Sequence, residues 1–278
     1  MTINYFNNCG SALDYSRAMV SLMKKFAEPL FANSCINNFS YIKFYQNNSV
    51  INLTTDTNWI DYRFKENIKY KILFESELNN STLDKPHMYF WPNETNDKLL
   101  CALHHFGITN GCNIYIPSQN HIEVFSFASA IDKTNMHNFY INNFHALTQF
   151  ILYFKNELSS IIDHESPENK IVIDINFPVM KLQKNTNSLI ARKKNLIMGD
   201  IKRIQFSDNI YLTYKEAACC YFLNKGYSLK DISNKLSISA RTVETHINHV
   251  KNKANCYSKS LLLQMLNKKQ WILESIFE

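Results

Sequence analysis

The fold of the C-terminal part is decided by residues 213–253, which read TYKEAACCYFLNKGYSLKDISNKLSISARTVETHINHVKNK. Two helix starts stand out in this stretch. Thr213 precedes Glu216 by three residues, and Ser228 precedes Asp231 by the same interval. In each pair the hydroxyl oxygen can accept a hydrogen bond from the backbone amide three residues later. The carboxylate of that later residue can in turn accept one from the backbone amide of the hydroxyl residue. The spacing therefore predicts that a helix begins directly after each pair.

A third helix is predicted from residue 240 to about residue 253, with Ser239 as its N-cap. Its apolar residues recur at helical spacing and are expected to face inward; they are Val243, Ile247 and Val250. The opposite face carries polar and basic side chains, among them Arg241, Glu244, Thr245, Asn248 and Lys251. Two short helices joined by a tight turn can place such a face in the major groove of DNA. An ordinary amphipathic helix with a solvated face is the alternative.

The wider window resembles the LuxR-type helix-turn-helix family without a gap. The resemblance is carried by Leu212-Thr213-x-Lys215-Glu216, Gly226-x-Ser228-x-Lys230-Asp231-Ile232 and Leu236-x-Ile238-Ser239-x-Arg241-Thr242-Val243-x-x-His246. It implies an all-α domain of four helices over residues 211–278 that binds duplex DNA. It also implies a homodimer, with the helix predicted at residues 258–266 as the dimer contact.

The same resemblance implies a set of DNA-binding residues. They are Lys230, Arg241, Thr242, Glu244, Thr245, Asn248 and Lys251. Within this set the residues at positions 244, 245 and 248 are expected to face the bases. Glu244 departs from the family, which usually has a basic residue there. A carboxylate repels phosphate but can accept a hydrogen bond from a cytosine amino group, so either the recognised sequence differs or Glu244 is turned away from DNA.

The excess of positive charge lies in the same part of the chain. The formal net charge of the 278 residues is +6. Residues 211–278 contain nine lysines and one arginine against five acidic residues, and so account for +5 of that total. A small basic domain beside a nearly neutral one favours a polyanionic partner, with a merely solubilising surface as the alternative.

The preceding residues predict a mixed α+β domain over residues 1–165. Helical spacing predicts helices at residues 11–32, 59–77 and 135–162, and alternation predicts strands within 39–52, 113–117 and 122–128. Residues 166–210 are interpreted as a linker with short strands near 171–177 and 202–210. The length of the chain agrees with two domains.

The N-terminal part also resembles a known domain, the autoinducer-binding domain of quorum-sensing LuxR-family regulators. The resemblance is carried by Trp59, the Phe90-Trp91 pair, Gly107-Ile108-x-x-Gly111 and the run 113–130. It implies an α/β/α sandwich with a central antiparallel sheet and a pocket for an acyl-homoserine lactone. The implied pocket residues are Trp59, Tyr62, Phe90, Trp91 and Ser129.

Two departures from that family argue against its usual ligand. The family has a Tyr four residues after its first Trp, where this chain has Arg63, and an Asp where it has Ile72. A lactone amide left without its acceptor costs about 1–3 kcal/mol. Two hypotheses remain: a sensor for another small apolar signal molecule, or a ligand-independent dimerisation or protein-docking module. In the second, the aromatic residues simply form the core.

Other functional classes lack a sequence pattern to support them. The seven cysteines include no C-x-x-C pair, and no phosphate-binding loop, nucleophile elbow or metalloprotease motif is present. We therefore expect no enzyme, no cofactor and no metal site. The sequence has no apolar run of membrane-spanning length and no secretory signal, which predicts a cytoplasmic protein with no membrane partner.

Overall fold

A computed structural model of the chain describes residues 12–78, 81, 83–92, 96–130, 136–159, 169–173, 203–207 and 210–277. These residues fall into two compact units. The N-terminal unit lies within Met1–Asn142 and Ile162–Ile190, and the C-terminal unit within Asn143–Ile161 and Ala191–Glu278. Most of the predicted linker lies outside the described residues. No helix in the described ranges is both long enough and apolar enough to cross a lipid bilayer.

The N-terminal unit combines helices with one sheet. In chain order its elements are α1 (Ala12–Ala32), β1 (Asn38–Tyr45), β2 (Ser49–Thr54), α2 (Thr57–Lys65), α3 (Glu75–Leu78), β3 (His87–Phe90), α4 (Lys98–His105), β4 (Thr109–Pro117), β5 (His121–Ser129), α5 (Met136–Asn142) and β6 (Ile171–Val172). The strands form an antiparallel sheet in the order β3-β4-β5-β1-β2-β6.

Helices cover both faces of this sheet, which confirms the predicted sandwich. On one face the Tyr140 hydroxyl of α5 donates to the carbonyl oxygens of Asn110 and Phe127. On the other face α2 and α4 supply Trp59 and Leu103 to a cavity that the strands also line. Successive side chains of a strand point to opposite faces, so one strand can contact the helices on both sides of the sheet.

The helix predicted over residues 59–77 is wrong for residues 66–74, which separate α2 from the short helix α3. Helix α2 ends at Lys65 because the Glu66 amide turns back to the carbonyl oxygens of Phe64 and Tyr62, and Asn67 follows with a φ of +48°. The apolar residues that suggested a continuing helix instead lie in a loop. Tyr70 and Ile72 of that loop are buried against the sheet.

The C-terminal unit contains more than the predicted helix-turn-helix. Its elements are α6 (Phe144–Ser159), β7 (Arg203–Ser207), β8 (Ile210–Thr213), α7 (Tyr214–Asn224), α8 (Leu229–Leu236), α9 (Ala240–Lys253), α10 (Lys259–Lys268) and α11 (Gln270–Phe277). Strands β7 and β8 form an antiparallel hairpin, and its Ile204, Phe206 and Leu212 are buried in the same core as the helices.

The helix predicted over residues 135–162 consists of two helices, α5 and α6, which are separated at Asn143. Helix α6 groups with the C-terminal unit. Its Leu152 belongs to the core of that unit, and its Thr148 hydroxyl accepts a hydrogen bond of 3.0 Å from Ser275 of α11. The domain boundaries expected from the sequence, 1–165 and 211–278, remain a prediction.

Candidate nucleic-acid interface

The helix-turn-helix is held in shape by its end caps. Thr213 and Glu216 form the predicted capping box of α7, and Ser228 and Asp231 form that of α8. Between α8 and α9 the turn passes through Ser237, whose φ of +53° is left-handed. These caps satisfy backbone groups that a helix end leaves open, and so fix where each helix starts and stops.

Helix α9 begins at its own cap and is anchored by one apolar face. The Ser239 hydroxyl accepts a hydrogen bond of 3.0 Å from the Thr242 amide. Val243, Ile247 and Val250 are buried, in agreement with their spacing in the sequence. They join Ile232 of α8 in the core of the unit. The opposite face of α9 is therefore turned outward.

The residues that the sequence predicts as DNA contacts lie on that outward side. Lys230, Arg241, Thr242, Glu244, Thr245 and Asn248 are exposed, and Lys251 is half-buried. Two of the hydroxyls already have partners. Thr242 Oγ1 shares a hydrogen bond with Ser239 Oγ, and Thr245 Oγ1 donates to the Arg241 carbonyl at 2.9 Å. Thr245 thus keeps its oxygen as an acceptor, while the Asn248 amide offers both a donor and an acceptor.

The positive charge near α9 is only partly neutralised by ion pairs. In the described part of the unit Lys225 pairs with Glu274, and Lys253 pairs with Glu216. Lys230, Arg241 and Lys251 take part in neither pair. Their charges are therefore available to phosphate groups, which bind to basic side chains of this kind.

Glu216 joins the start of α7 to the end of α9. Its side chain is buried, and its Oε2 accepts hydrogen bonds from the Thr213 amide at 2.8 Å and from Lys253 Nζ at 2.5 Å. Lys253 Nζ also donates to the Tyr211 carbonyl, and His249 Nδ1 lies 3.8 Å from Glu216 Oε1. Burial by itself raises the pKa of Glu216, but the hydrogen bonds from Lys253 and Thr213 outweigh it and lower the pKa.

Replacing this carboxylate should loosen the C-terminal unit. We expect Glu216→Ala to lower its free energy of unfolding by about 1–3 kcal/mol, because the capping box and the buried acceptor are both lost. Glu244→Ala, on the exposed face of α9, is the control and should stay within about 0.5 kcal/mol. Denaturant titrations followed by circular dichroism measure both variants.

The pH dependence of the difference in unfolding free energy between wild type and Glu216→Ala gives a second check. A carboxylate with a lowered pKa stabilises the fold above the ordinary Glu value of about 4.3, and loses this effect as the pH falls through the folded-state pKa. The difference between wild type and Glu216→Ala should therefore shrink in acid. A constant difference at every pH would contradict the role given to the charge.

The N-terminal unit contains a cavity of about 50 Å³ beneath its sheet. About 10–15 Å³ accommodates one water molecule on a comparable measure, so a small chemical group fits. Of the predicted pocket residues, Trp59 and Trp91 line it, whereas Tyr62, Phe90 and Ser129 do not. Phe90 stacks instead on His137, with ring centroids 4.6 Å apart, on the face that α5 covers.

The glycine-spaced segment of the sequence helps to form the cavity wall. Trp91 lies so close to Gly111 that a Cβ atom at position 111 would come within 2.5 Å of the indole ring. The Trp91 indole nitrogen donates a hydrogen bond of 3.0 Å to Asn113. Gly111 is thus needed for the close approach of a ring that lines the cavity.

Several polar residues of the cavity wall had no predicted role, Arg63 and Asn113 among them. The sequence presented Arg63 only as a mismatch to the family Tyr. The signal that could have found Asn113 is its position between the apolar residues Cys112 and Ile114 of β4, where a buried amide needs a partner.

Comparison with known families gives a match in the region of the capped helices. Residues 211–266 match the family described as GerE, bacterial regulatory proteins of the luxR family. This range begins in β8 and extends through most of α10, and it includes all seven residues predicted to contact DNA. The matched family is one of regulators and not a class of enzymes.

Similar proteins cover different shares of the chain. Over 123 aligned residues the chain is 39% identical to the oxygen regulatory protein NreC of two Staphylococcus epidermidis strains. The alignment covers 42% of this chain and 55% of NreC. It thus spans about half the length of the curated relatives it matches. The crystal structure of Escherichia coli SdiA aligns over 92% of both chains at 14% identity, with a TM-score of 0.32. SdiA in complex with octanoyl-rac-glycerol aligns over 94% of this chain and 93% of SdiA at 14% identity, with a TM-score of 0.33.

Proposed function

Since residues 211–266 form a helix-turn-helix domain of the luxR family, we propose that this chain regulates transcription by binding duplex DNA. The observation that carries the proposal is the outward face of α9. It is polar and basic, it is held by a capped turn, and its opposite face is anchored by Val243, Ile247 and Val250. A helix presented in this way can enter the major groove.

The residues of α9 divide by chemistry into two groups. Asn248 and Thr245 can exchange hydrogen bonds with base edges, and the amide of Asn248 suits the paired donor and acceptor of adenine. Arg241 and Lys251 carry charges that suit phosphates and would fix the position of the helix on the duplex. Glu244, also exposed, can accept from a cytosine amino group.

Replacing Asn248 by alanine should relax the sequence preference of the protein. We expect a loss of about 1–3 kcal/mol at one base pair and little change at the others, because only one base contact is removed. Selection of bound duplexes from a random library, at one fixed salt concentration, measures the preference.

Asn138→Ala, which removes an exposed amide from α5 of the N-terminal unit, is the matched control for this experiment. It should leave the selected sequences unchanged. If Asn248→Ala weakened binding equally to all sequences, Asn248 would not read a base.

We also propose that the protein acts as a homodimer through α10. Leu261 of this helix is about half exposed, and Tyr257, just before it, is 86% exposed. Covering apolar side chains in such positions with a second copy removes them from water, which is favourable. A dimer also fits DNA sites made of two half-sites.

For the N-terminal unit we propose a sensor that controls DNA binding through a small molecule. The support is the cavity, which brings Trp59 and Trp91 together with polar groups beneath the sheet. A ligand that binds one conformation better than another shifts the population towards it.

The second candidate for this unit is a ligand-independent dimerisation or docking module. It is favoured by the volume of the cavity, about 50 Å³. Pockets for drug-sized ligands have roughly 300–1,000 Å³. Mass spectrometry of an organic extract from the purified protein separates the two candidates. A bound molecule supports the sensor; a clean extract, with no thermal shift against a ligand panel, supports the module.

A further inference from the structure

Arg63 is a buried cation in the wall of the cavity. Its side chain is only 4% exposed, and its guanidinium lies 3.6 Å from the centre of the Tyr70 ring. One terminal nitrogen donates to the Lys69 carbonyl at 3.2 Å. Its Nε is buried, and no described residue accepts a hydrogen bond from it. The guanidinium is thus held in place with part of its hydrogen-bonding capacity unused.

A buried cation of this kind is unfavourable unless an anion compensates its charge. Burial disfavours the charged form and lowers the pKa of Arg63, an effect that nearby Tyr70 only partly offsets. An arginine nevertheless stays protonated in proteins, so the cost is not relieved by loss of the proton. The Tyr70 ring gives some compensation through its π-face. A hydrogen-bonded anion would compensate far better.

The described residues around the cavity do not supply that anion. The charged ones that line it are Arg63 and Lys71, both cations. Lys71 already forms an ion pair with Asp97, which leaves Arg63 as the charge without an acidic partner among the lining residues described. The described lining residues therefore carry net positive charge.

The rest of the wall indicates what the anion is attached to. Neutral polar groups cross the sheet, where Ser40, Ser126 and Asn113 line the cavity side by side. Apolar side chains make up most of the remaining surface, including Ile42, Phe44, Leu73, Leu99, Leu103 and Ile108. An oxyanion with an apolar remainder fits both parts.

We propose that the cavity binds the carboxylate of a small organic acid, with Arg63 as its counter-ion and the apolar wall around its hydrocarbon part. This inference rests on the sensor function proposed above and names the class of its ligand. Arginine suits this task because its planar fork matches the two oxygens of a carboxylate.

The test compares acids with their uncharged derivatives on the full chain. Butanoate, hexanoate and benzoate are titrated by calorimetry and thermal shift, each beside its methyl ester and primary amide. At least one acid should bind, and its ester and amide should bind about 10- to 150-fold more weakly, because a charge-assisted hydrogen bond is lost. This comparison needs no variant.

Arg63→Gln should weaken binding of the same acid by a similar factor and leave binding of the ester unchanged. Arg17→Gln removes an exposed guanidinium from α1 and should bind the acid like wild type. Circular dichroism and unfolding midpoints without ligand establish whether the variants fold; if Arg63→Gln does not fold, the comparison of acid with ester decides.

The possible outcomes separate this inference from the sensor function. Binding of esters, amides or lactones in preference to acids would overturn the carboxylate and leave the sensor in place. Unaltered acid binding in a folded Arg63→Gln variant would overturn the role of Arg63. Failure of every compound, with nothing extracted from the purified protein, would overturn the inference and the sensor function together.

Discussion

Phe206→Ala should lower the free energy of unfolding of the C-terminal unit by about 3–5 kcal/mol, the usual cost of removing a large buried aromatic side chain. Phe206 is 1% exposed and lies in the hairpin of β7 and β8, outside the three helices that the capping pattern predicts. It shares a core with Val243 and Val250 of α9. The variant therefore tests whether the hairpin helps to hold the helix that is proposed to bind DNA.

The control is Glu244→Ala, which truncates an exposed side chain of α9. Its effect should stay within about 0.5 kcal/mol. Hydrogen exchange detected by mass spectrometry locates the change, which should appear as lower protection of α7, α9 and the hairpin. Unchanged protection of α9 in Phe206→Ala would show that the hairpin is an independent appendage.

Trp59→Ala should destabilise the N-terminal unit by about 3–5 kcal/mol and abolish any response to a ligand. Trp59 is 3% exposed and lines the cavity. Its ring contacts Tyr62 and Phe106, with centroids 6.5 and 5.9 Å away, and the Arg63 guanidinium lies 5.8 Å from it. Its removal therefore opens the wall and takes away one of the two rings beside the Arg63 guanidinium.

The effect of Trp59→Ala should remain in the N-terminal unit. Hydrogen exchange is expected to quicken in α2 and α4, while α7 and α9 keep their protection, because their core contains none of the same residues. Ile141→Ala, a truncation of an exposed residue of α5, is the control. Equal loss of protection in both units would contradict a separate N-terminal core.

The helix-turn-helix could be predicted from the sequence because its signals are local. A hydroxyl followed three residues later by a carboxylate fixes a helix start without reference to the rest of the chain. Both predicted capping boxes are present. The inward face of α9 follows equally from a spacing within one helix.

The assignment of α6 could not be predicted, because a helical pattern shows which face is apolar but not which core covers it. The contact between Thr148 and Ser275 joins residues 127 positions apart. Helix α11, which supplies Ser275, was not predicted at all. It begins two residues after α10 ends, so the apolar pattern reads as a continuation.

The candidate cavity was predicted only in part, for a related reason. The sequence placed Trp59 and Trp91 in one pocket through a family resemblance, but Phe90 points to the opposite face from its neighbour. Arg63 lies in the wall because α2 ends soon after it and the loop returns to bury it under Tyr70. Such a return depends on tertiary packing, which spacing alone does not reveal.

The salt dependence of duplex binding tests the central claim, that the outward face of α9 holds DNA. The logarithm of the binding constant is measured against the logarithm of salt concentration for the wild type, Arg241→Ala and Lys251→Ala, with Lys24→Ala, which removes an exposed lysine from α1, as control. Each α9 variant should bind all sequences more weakly, with a slope smaller by about 0.9, because one phosphate contact is lost. Slopes and affinities identical to those of wild type in both variants would contradict the claim.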